Sequence, residues 1–165
     1  SHVQTVDNIS CIKAGIHTWE GDLICGSKNS YIATVVERQT RFTLLVKVEG
    51  KKTDRVVPAL ARQMAELPER LKQSLTWDRG TELASHQKFT VATDIDVYFC
   101  DPSSPWQRGT NKNTNGLLRQ YFPTGSCLST YSQQDLDKVA NHLNNWPRKT
   151  LGFLSPTLKL EQLLQ

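Results

Sequence analysis

Between residues 42 and 48 the chain alternates, with Phe42, Leu44, Val46 and Val48 separated by Thr43, Leu45 and Lys47. A period of two is that of a half-buried strand, so residues 41–48 are predicted to form one. Tyr31–Glu37 reads as the strand before it and residues 17–24 as an earlier one, ending near Asp22. Gly26-Ser27-Lys28-Asn29-Ser30 supplies the turn between them. Short connections between three consecutive strands predict an antiparallel meander. The period then changes. Val57, Leu60, Met64 and Leu67 recur at helical spacing, which predicts a helix over 56–67 with Pro58 in its first turn. Residues 74–78 and 96–100 read as short strands with a helix over 82–92 between them.

The last third is helical. Residues 111–121 place Leu117, Leu118 and Tyr121 on one side. Ser132 followed by Asp135 is a capping signal for a helix carrying Leu136, Val139, Ala140 and Leu143, which Pro147 stops. Ser155-Pro156 opens a closing helix with Leu160, Leu163 and Leu164. The expected class is α/β: a central mixed five-stranded sheet, its first three strands antiparallel, flanked by helices.

Composition narrows the picture without naming a chemistry. The 165 residues fit one domain, and 38% hydrophobic with 22% charged content is that of a folded globular chain. No apolar run approaches the roughly 20 residues of a membrane span. Ser1–Ser10 lacks a signal-peptide pattern, and residues 1–16 are expected to form an extended or poorly ordered lead-in. Cys11, Cys25, Cys100 and Cys127 are widely spaced, which points to reduced thiols and a cytoplasmic location. His17 and His86 show no zinc spacing with them and are expected to have packing or surface roles. The net charge of +4 is modest, but residues 101–152 hold six basic groups against three acidic ones. A local basic excess suits a phosphate backbone, and it also suits an ordinary solvated surface.

Candidate chemistry lies in carboxylates from separate segments. Asp22 in Trp19-Glu20-Gly21-Asp22 and Asp78 in Thr76-Trp77-Asp78-Arg79-Gly80 both follow predicted strands. If those strands are neighbours, the two carboxylates converge as oxygen ligands for a hard divalent cation. Spacing alone does not select them over Glu20 and Glu82, and an Asp at a strand end is more often a turn residue.

A third segment, Cys100-Asp101-Pro102-Ser103-Ser104-Pro105-Trp106-Gln107-Arg108-Gly109-Thr110-Asn111-Lys112-Asn113-Thr114-Asn115-Gly116, completes a set. With the other two it resembles the catalytic core of bacterial insertion-sequence transposases of the IS-thirty family, within the retroviral-integrase-like superfamily. The resemblance covers roughly residues 17–158. It implies a ribonuclease-H-like fold and an acidic triad whose third member sits on the helix after the fifth strand. It also implies a two-ion magnesium or manganese site for DNA strand cleavage by water, followed by strand transfer in which a DNA 3′-hydroxyl attacks. The family's third motif has a glutamate where this chain has Lys112, with 33 residues between Asp78 and that position. Trp146 likewise stands where the family has an arginine, and Leu158 where it has an acid. The family's N-terminal helix-turn-helix region is missing from this sequence, which reads as the core alone.

A protonated lysine cannot ligate a cation and repels one. At about 5 Å and an effective dielectric near 20, a doubly charged ion and an ammonium repel by roughly 6–7 kcal/mol before screening. The expected catalytic set is therefore Asp22, Asp78 and Lys112, with Asp22 and Asp78 as metal ligands and activity impaired. The resemblance makes Arg119, seven residues after position 112, a phosphate contact. Gln107 and Arg108 in the loop before the helix, Asn115, and the Arg148-Lys149 pair are further candidate DNA contacts. Trp106 is expected to be a packing anchor. The implied partners are double-stranded DNA, as transposon ends and target, and further copies of the chain. Localisation would be bacterial cytoplasm, at the nucleoid when DNA is bound. The alternative is a non-catalytic DNA-binding or oligomerisation module descended from such an enzyme.

Overall fold

The computed structural model describes residues 18–72, 74–77, 95–99 and 109–164, together with Phe89 and Thr93; for residues 18, 53, 98–99 and 109–112 it describes the backbone alone. Most of the predicted 82–92 helix, Asp78, Cys11, Cys100, Trp106, Gln107, Arg108, His17 and His86 lie outside the described residues.

Five strands form one sheet in the order β3-β2-β1-β4-β5. They are β1 (Thr18–Cys25), β2 (Tyr31–Glu37), β3 (Thr43–Val48), β4 (Ser74–Trp77) and β5 (Asp96–Phe99). The first three pair antiparallel, and β4 and β5 run parallel to β1. The four helices among the described residues are α1 (Thr53–Met64), α2 (Gly109–Leu118), α3 (Gln133–Asn144) and α4 (Pro156–Leu164). The mixed sheet expected from the sequence is present, with α1 as the crossover that makes β4 parallel to β1.

Alternation along the strands sorts side chains into two cores. Trp19, Val35, Val46, Leu75 and Trp77 pack on one face with Val56, Leu60 and Met64 of α1. Ile24, Ile32 and Leu45 pack on the other with Leu118 of α2 and Leu136, Ala140 and Leu143 of α3. The β1–α1 side is pinned by a hydrogen bond from Trp19 Nε1 to the Leu71 carbonyl, 2.9 Å.

Both predicted caps form. Ser132 Oγ accepts from Asp135 N at 3.1 Å, and the Asp135 carboxylate accepts from Ser132 N at 2.9 Å. Those bonds hold the Asp135 carboxyl below its usual range, the Ser132 amide foremost. Ser155 Oγ likewise accepts from Leu158 N, ahead of Pro156.

Three longer elements differ from the pattern in their boundaries, one being the helix expected over residues 111–121, which spans Gly109–Leu118 and ends in a turn. The third strand starts at Thr43 because residues 37–42 close a turn in which Arg41 adopts φ 64°. The Glu37 carboxylate ties that turn, accepting from both the amide and the hydroxyl of Thr40 at 2.6 Å. The first long helix starts at Thr53, so Pro58 lies in its second turn rather than its first. Pro58 is exposed, so the Asp54 carbonyl it leaves without an amide partner is on the solvent side.

Candidate active site

The site is built on the polar face of β1. Trp19, Gly21 and Leu23 point to the α1 face, so Glu20, Asp22 and Ile24 point to the other. Gly21 is fixed by its neighbour: a Cβ there would sit 2.2 Å from ring atoms of the buried Trp77. Gly21 and Trp77 are register partners, and they are the residues immediately before Asp22 and Asp78 in the chain. Close packing of an indole over a glycine thus sets the spacing of β1 and β4 beside the first candidate carboxylate.

Asp22 was expected at a strand end. It lies inside β1, paired with Thr34 of β2, because β1 continues to Cys25 on its antiparallel side. Among the described residues it is β4 that stops at this level. The half-buried Asp22 carboxylate accepts from Leu23 N at 2.8 Å through Oδ1. Its Oδ2 accepts from Asn115 Nδ2 at 3.4 Å. The Thr34 hydroxyl contacts both partners, 3.4 Å from the Asp22 carbonyl and 3.3 Å from Asn115 Oδ1.

That contact brings the third sequence segment to the first. Asn115 lies on α2, and Arg119, one turn further along, donates to the Cys25 carbonyl at 3.2 Å. Helix α2 therefore follows β1 in the same direction. Position 112 is one turn before Asn115, at the end of the helix toward Glu20 and Asp22.

Glu20, which the sequence could not separate from Asp22, has a different environment. It is 2% exposed and faces Arg38, with Nε 3.3 Å from Oε1. The pair is a Coulombic contact rather than an aligned hydrogen bond. This arginine gives Glu20 a partner on the β1–β2 hairpin, while the hydrogen bond of Asp22 to α2 goes through Asn115.

Similarity to known proteins agrees. The integrase core domain family matches residues 14–105. The chain is 58% identical over 144 residues to the transposase InsI for insertion sequence element IS30A of Escherichia coli (strain K12), covering 87% of this chain and 38% of that protein. It is 50% identical over 147 residues to the transposase for insertion sequence element IS1086 of Cupriavidus metallidurans, covering 88% and 43%. This chain belongs to the IS30 transposase family. It is a transposase/integrase catalytic core that spans about two-fifths of the length of these relatives. A crystal structure of the catalytic core domain of BIV integrase shares the fold, with TM-score 0.63 at 16% identity over 88% of this chain and 96% of that one. The ribonuclease-H-like expectation is met.

The other candidate contacts of this transposase core are placed as follows. Arg119 is half-buried, and besides the Cys25 carbonyl it donates to the Phe122 carbonyl at 3.4 Å, so it also fastens the end of α2. Arg148 donates to the Leu143 carbonyl at 3.1 Å, beyond the end of α3. Burial, and then the neighbouring Arg41, lower its guanidinium pKa from the ordinary value. Lys149 is exposed at the start of a short 3-10 turn. Asn115, a candidate DNA contact by sequence, is turned toward Asp22 and Thr34. Sequence reasoning did not find Thr34 or Arg38, since both act through pairings remote in the chain. A cleft of about 480 Å³ lies elsewhere, lined by Lys47, Glu49, Asp54, Arg55, Arg62 and Gln133 among others, and takes in neither Asp22 nor α2.

The integrase core family implies a divalent metal. Among the described residues no three His, Cys, Asp or Glu side chains converge. Of the two candidate ligands, Asp22 is the described one, and its carboxylate is a hard oxygen donor of the kind a divalent ion takes. A second ion needs a further carboxylate, and Lys112 adds none. No described helix is long and apolar enough to cross a membrane.

Proposed function

We propose that this domain is the catalytic core of a metal-dependent DNA strand-cleavage and strand-transfer enzyme whose third ligand position is filled by Lys112. The observation that carries the reading is the Asn115–Asp22 hydrogen bond, which draws the helix of the third segment onto the first aspartate. Asp22 and Asp78 are the ligands, supported by the parallel register that ends at Gly21 and Trp77, one residue before each. A bound ion would supply Lewis-acid polarisation of a phosphate oxygen. The chain's own residues orient and exclude. The Leu23 amide and the Asn115 amide fix the Asp22 carboxylate, and Thr34 ties both to β2. The Lys112 ammonium opposes the ion and offers the two aspartates a cationic partner in its place.

DNA binding, to element ends and target, rests on Arg108, Gln107, Arg119, Arg148 and Lys149. Arg119 keeps N–H groups beyond its two carbonyl bonds, and Lys149 is exposed. Contacts of this type give affinity without reading sequence. The working form is an oligomer in the bacterial cytoplasm.

Manganese titration of the Lys112→Glu variant, followed by paramagnetic broadening of amide signals, tests the site. The amides of residues 21–23, 34 and 115 should broaden first, and Asp22→Asn added to that variant should abolish the pattern. Broadening centred elsewhere would remove Asp22 from the metal site.

A further inference from the structure

Strand β3 is an outer strand of the sheet, hydrogen-bonded to β2 alone among the described strands. The outward N–H and C=O groups of such a strand are a template for another extended chain. Here two side-chain amides cover that edge. Asn144 Oδ1 accepts from Thr43 N at 2.8 Å, while its Nδ2 donates to the Thr43 carbonyl at 2.9 Å. Gln133 repeats the pattern two and four residues on: Oε1 accepts from Lys47 N and Nε2 donates to the Leu45 carbonyl, each at 2.8 Å.

A primary amide carries one carbonyl and one NH₂, so it reproduces the donor–acceptor pair that a residue of a neighbouring strand would present. Asn144 exchanges both bonds with a single residue, as in the hydrogen-bonded pair of an antiparallel ladder. Thr43, Leu45 and Lys47 are alternate residues, the ones whose backbone groups face away from β2.

The two amides are the first and last residues of α3. Between them Leu136, Ala140 and Leu143 are buried against Leu45, which seats the helix over the strand. The orientation of each amide follows from its partners. Gln133 Nε2 also donates to Asp137 Oδ1 at 2.8 Å, and Asn144 is 5% exposed. Ser132 and Asp135 cap the helix at the end that carries Gln133.

We infer that Gln133 and Asn144 are edge guards: α3 stands in for a sixth strand and closes β3 against strand addition by a second copy of the chain. The metal reading plays no part in this.

Residue-resolved hydrogen exchange on the intact 165-residue chain tests it. In the parent protein the Thr43 and Lys47 amides should be protected. Asn144→Ala should speed exchange of Thr43 by at least tenfold and leave Lys47 unchanged, and Gln133→Ala should do the reverse. The double variant should associate at concentrations where the parent does not, read by sedimentation velocity. Asn144 is buried, so Asn144→Ala is at risk of not folding. The half-buried Gln133 is the safer probe of the amide cover. If Lys47 exchanges at the parental rate in Gln133→Ala, or if a folded double variant sediments as the parent does, the inference is overturned.

Discussion

On one face of β1, Trp19, Gly21 and Leu23 meet Leu75, Trp77 and α1 in a dry, close-packed contact; on the other, Glu20 and Asp22 meet Arg38, Thr34 and Asn115. The dry face leaves no slack, since one added carbon at Gly21 falls 2.2 Å from the Trp77 ring. The polar face is held by hydrogen bonds of mixed length, with the Leu23 amide 2.8 Å from the Asp22 carboxylate. Asn115 reaches Asp22 at 3.4 Å, whereas the scaffold amide of Asn144 holds β3 at 2.8 and 2.9 Å. A strand can therefore be fixed by close packing through one set of alternate residues and carry polar groups through the other. Within the polar face the two carboxylates differ in partner: Glu20 faces Arg38, and Asp22 accepts from Leu23 N and Asn115 Nδ2.

Removing the counter-charge should have the largest effect on stability. Arg38→Ala leaves the buried Glu20 without its guanidinium and should destabilise by about 3 kcal/mol. That is the low end for a broken buried pair, since Glu20 keeps other contacts. Urea unfolding measures it, and a loss below about 1 kcal/mol would make the pair no more than a surface bridge. Gly21→Ala comes next. The buried indole must shift, at a cost near the upper end of about 1–3 kcal/mol. Chemical-shift changes should spread from Trp77 to the Asp22 amide, whereas changes confined to residue 21 would separate the dry face from the site.

The smallest effect on stability is the most informative about function. Asn115→Ala removes long, half-exposed bonds and should cost less than about 1 kcal/mol. In a Lys112→Glu background it should weaken manganese binding several-fold, because the Asp22 carboxylate loses the amide that orients it. Equal losses in stability and in metal affinity would make Asn115 a packing residue only.

Much of the architecture was legible because it is written locally. The alternation at 42–48, the caps at Ser132 and Ser155, and the motif carrying Asp22 all announce themselves within a few residues. What was hidden depends on pairing across the chain. Asp22 was read as a strand end because the turn at Gly26–Ser30 ends the local pattern. Its position inside β1 emerges from the antiparallel partner β2 and the parallel partner β4. Glu20 and Asp22 are equivalent two residues apart, and Arg38 separates them from across the β1–β2 hairpin. No local signal marks the Cys25 carbonyl that Arg119 binds. Gln133 and Asn144 look like ordinary polar positions of an amphipathic helix until β3 lies beside them.

The central claim is that position 112 belongs to the metal site and that lysine there blocks it. Calorimetric titration of magnesium or manganese into the parent chain and into Lys112→Glu tests this most directly. The glutamate form should bind at least tenfold more tightly, because it gains an oxygen ligand and loses the ammonium repulsion. Equal affinity in the two forms would place residue 112 outside the site.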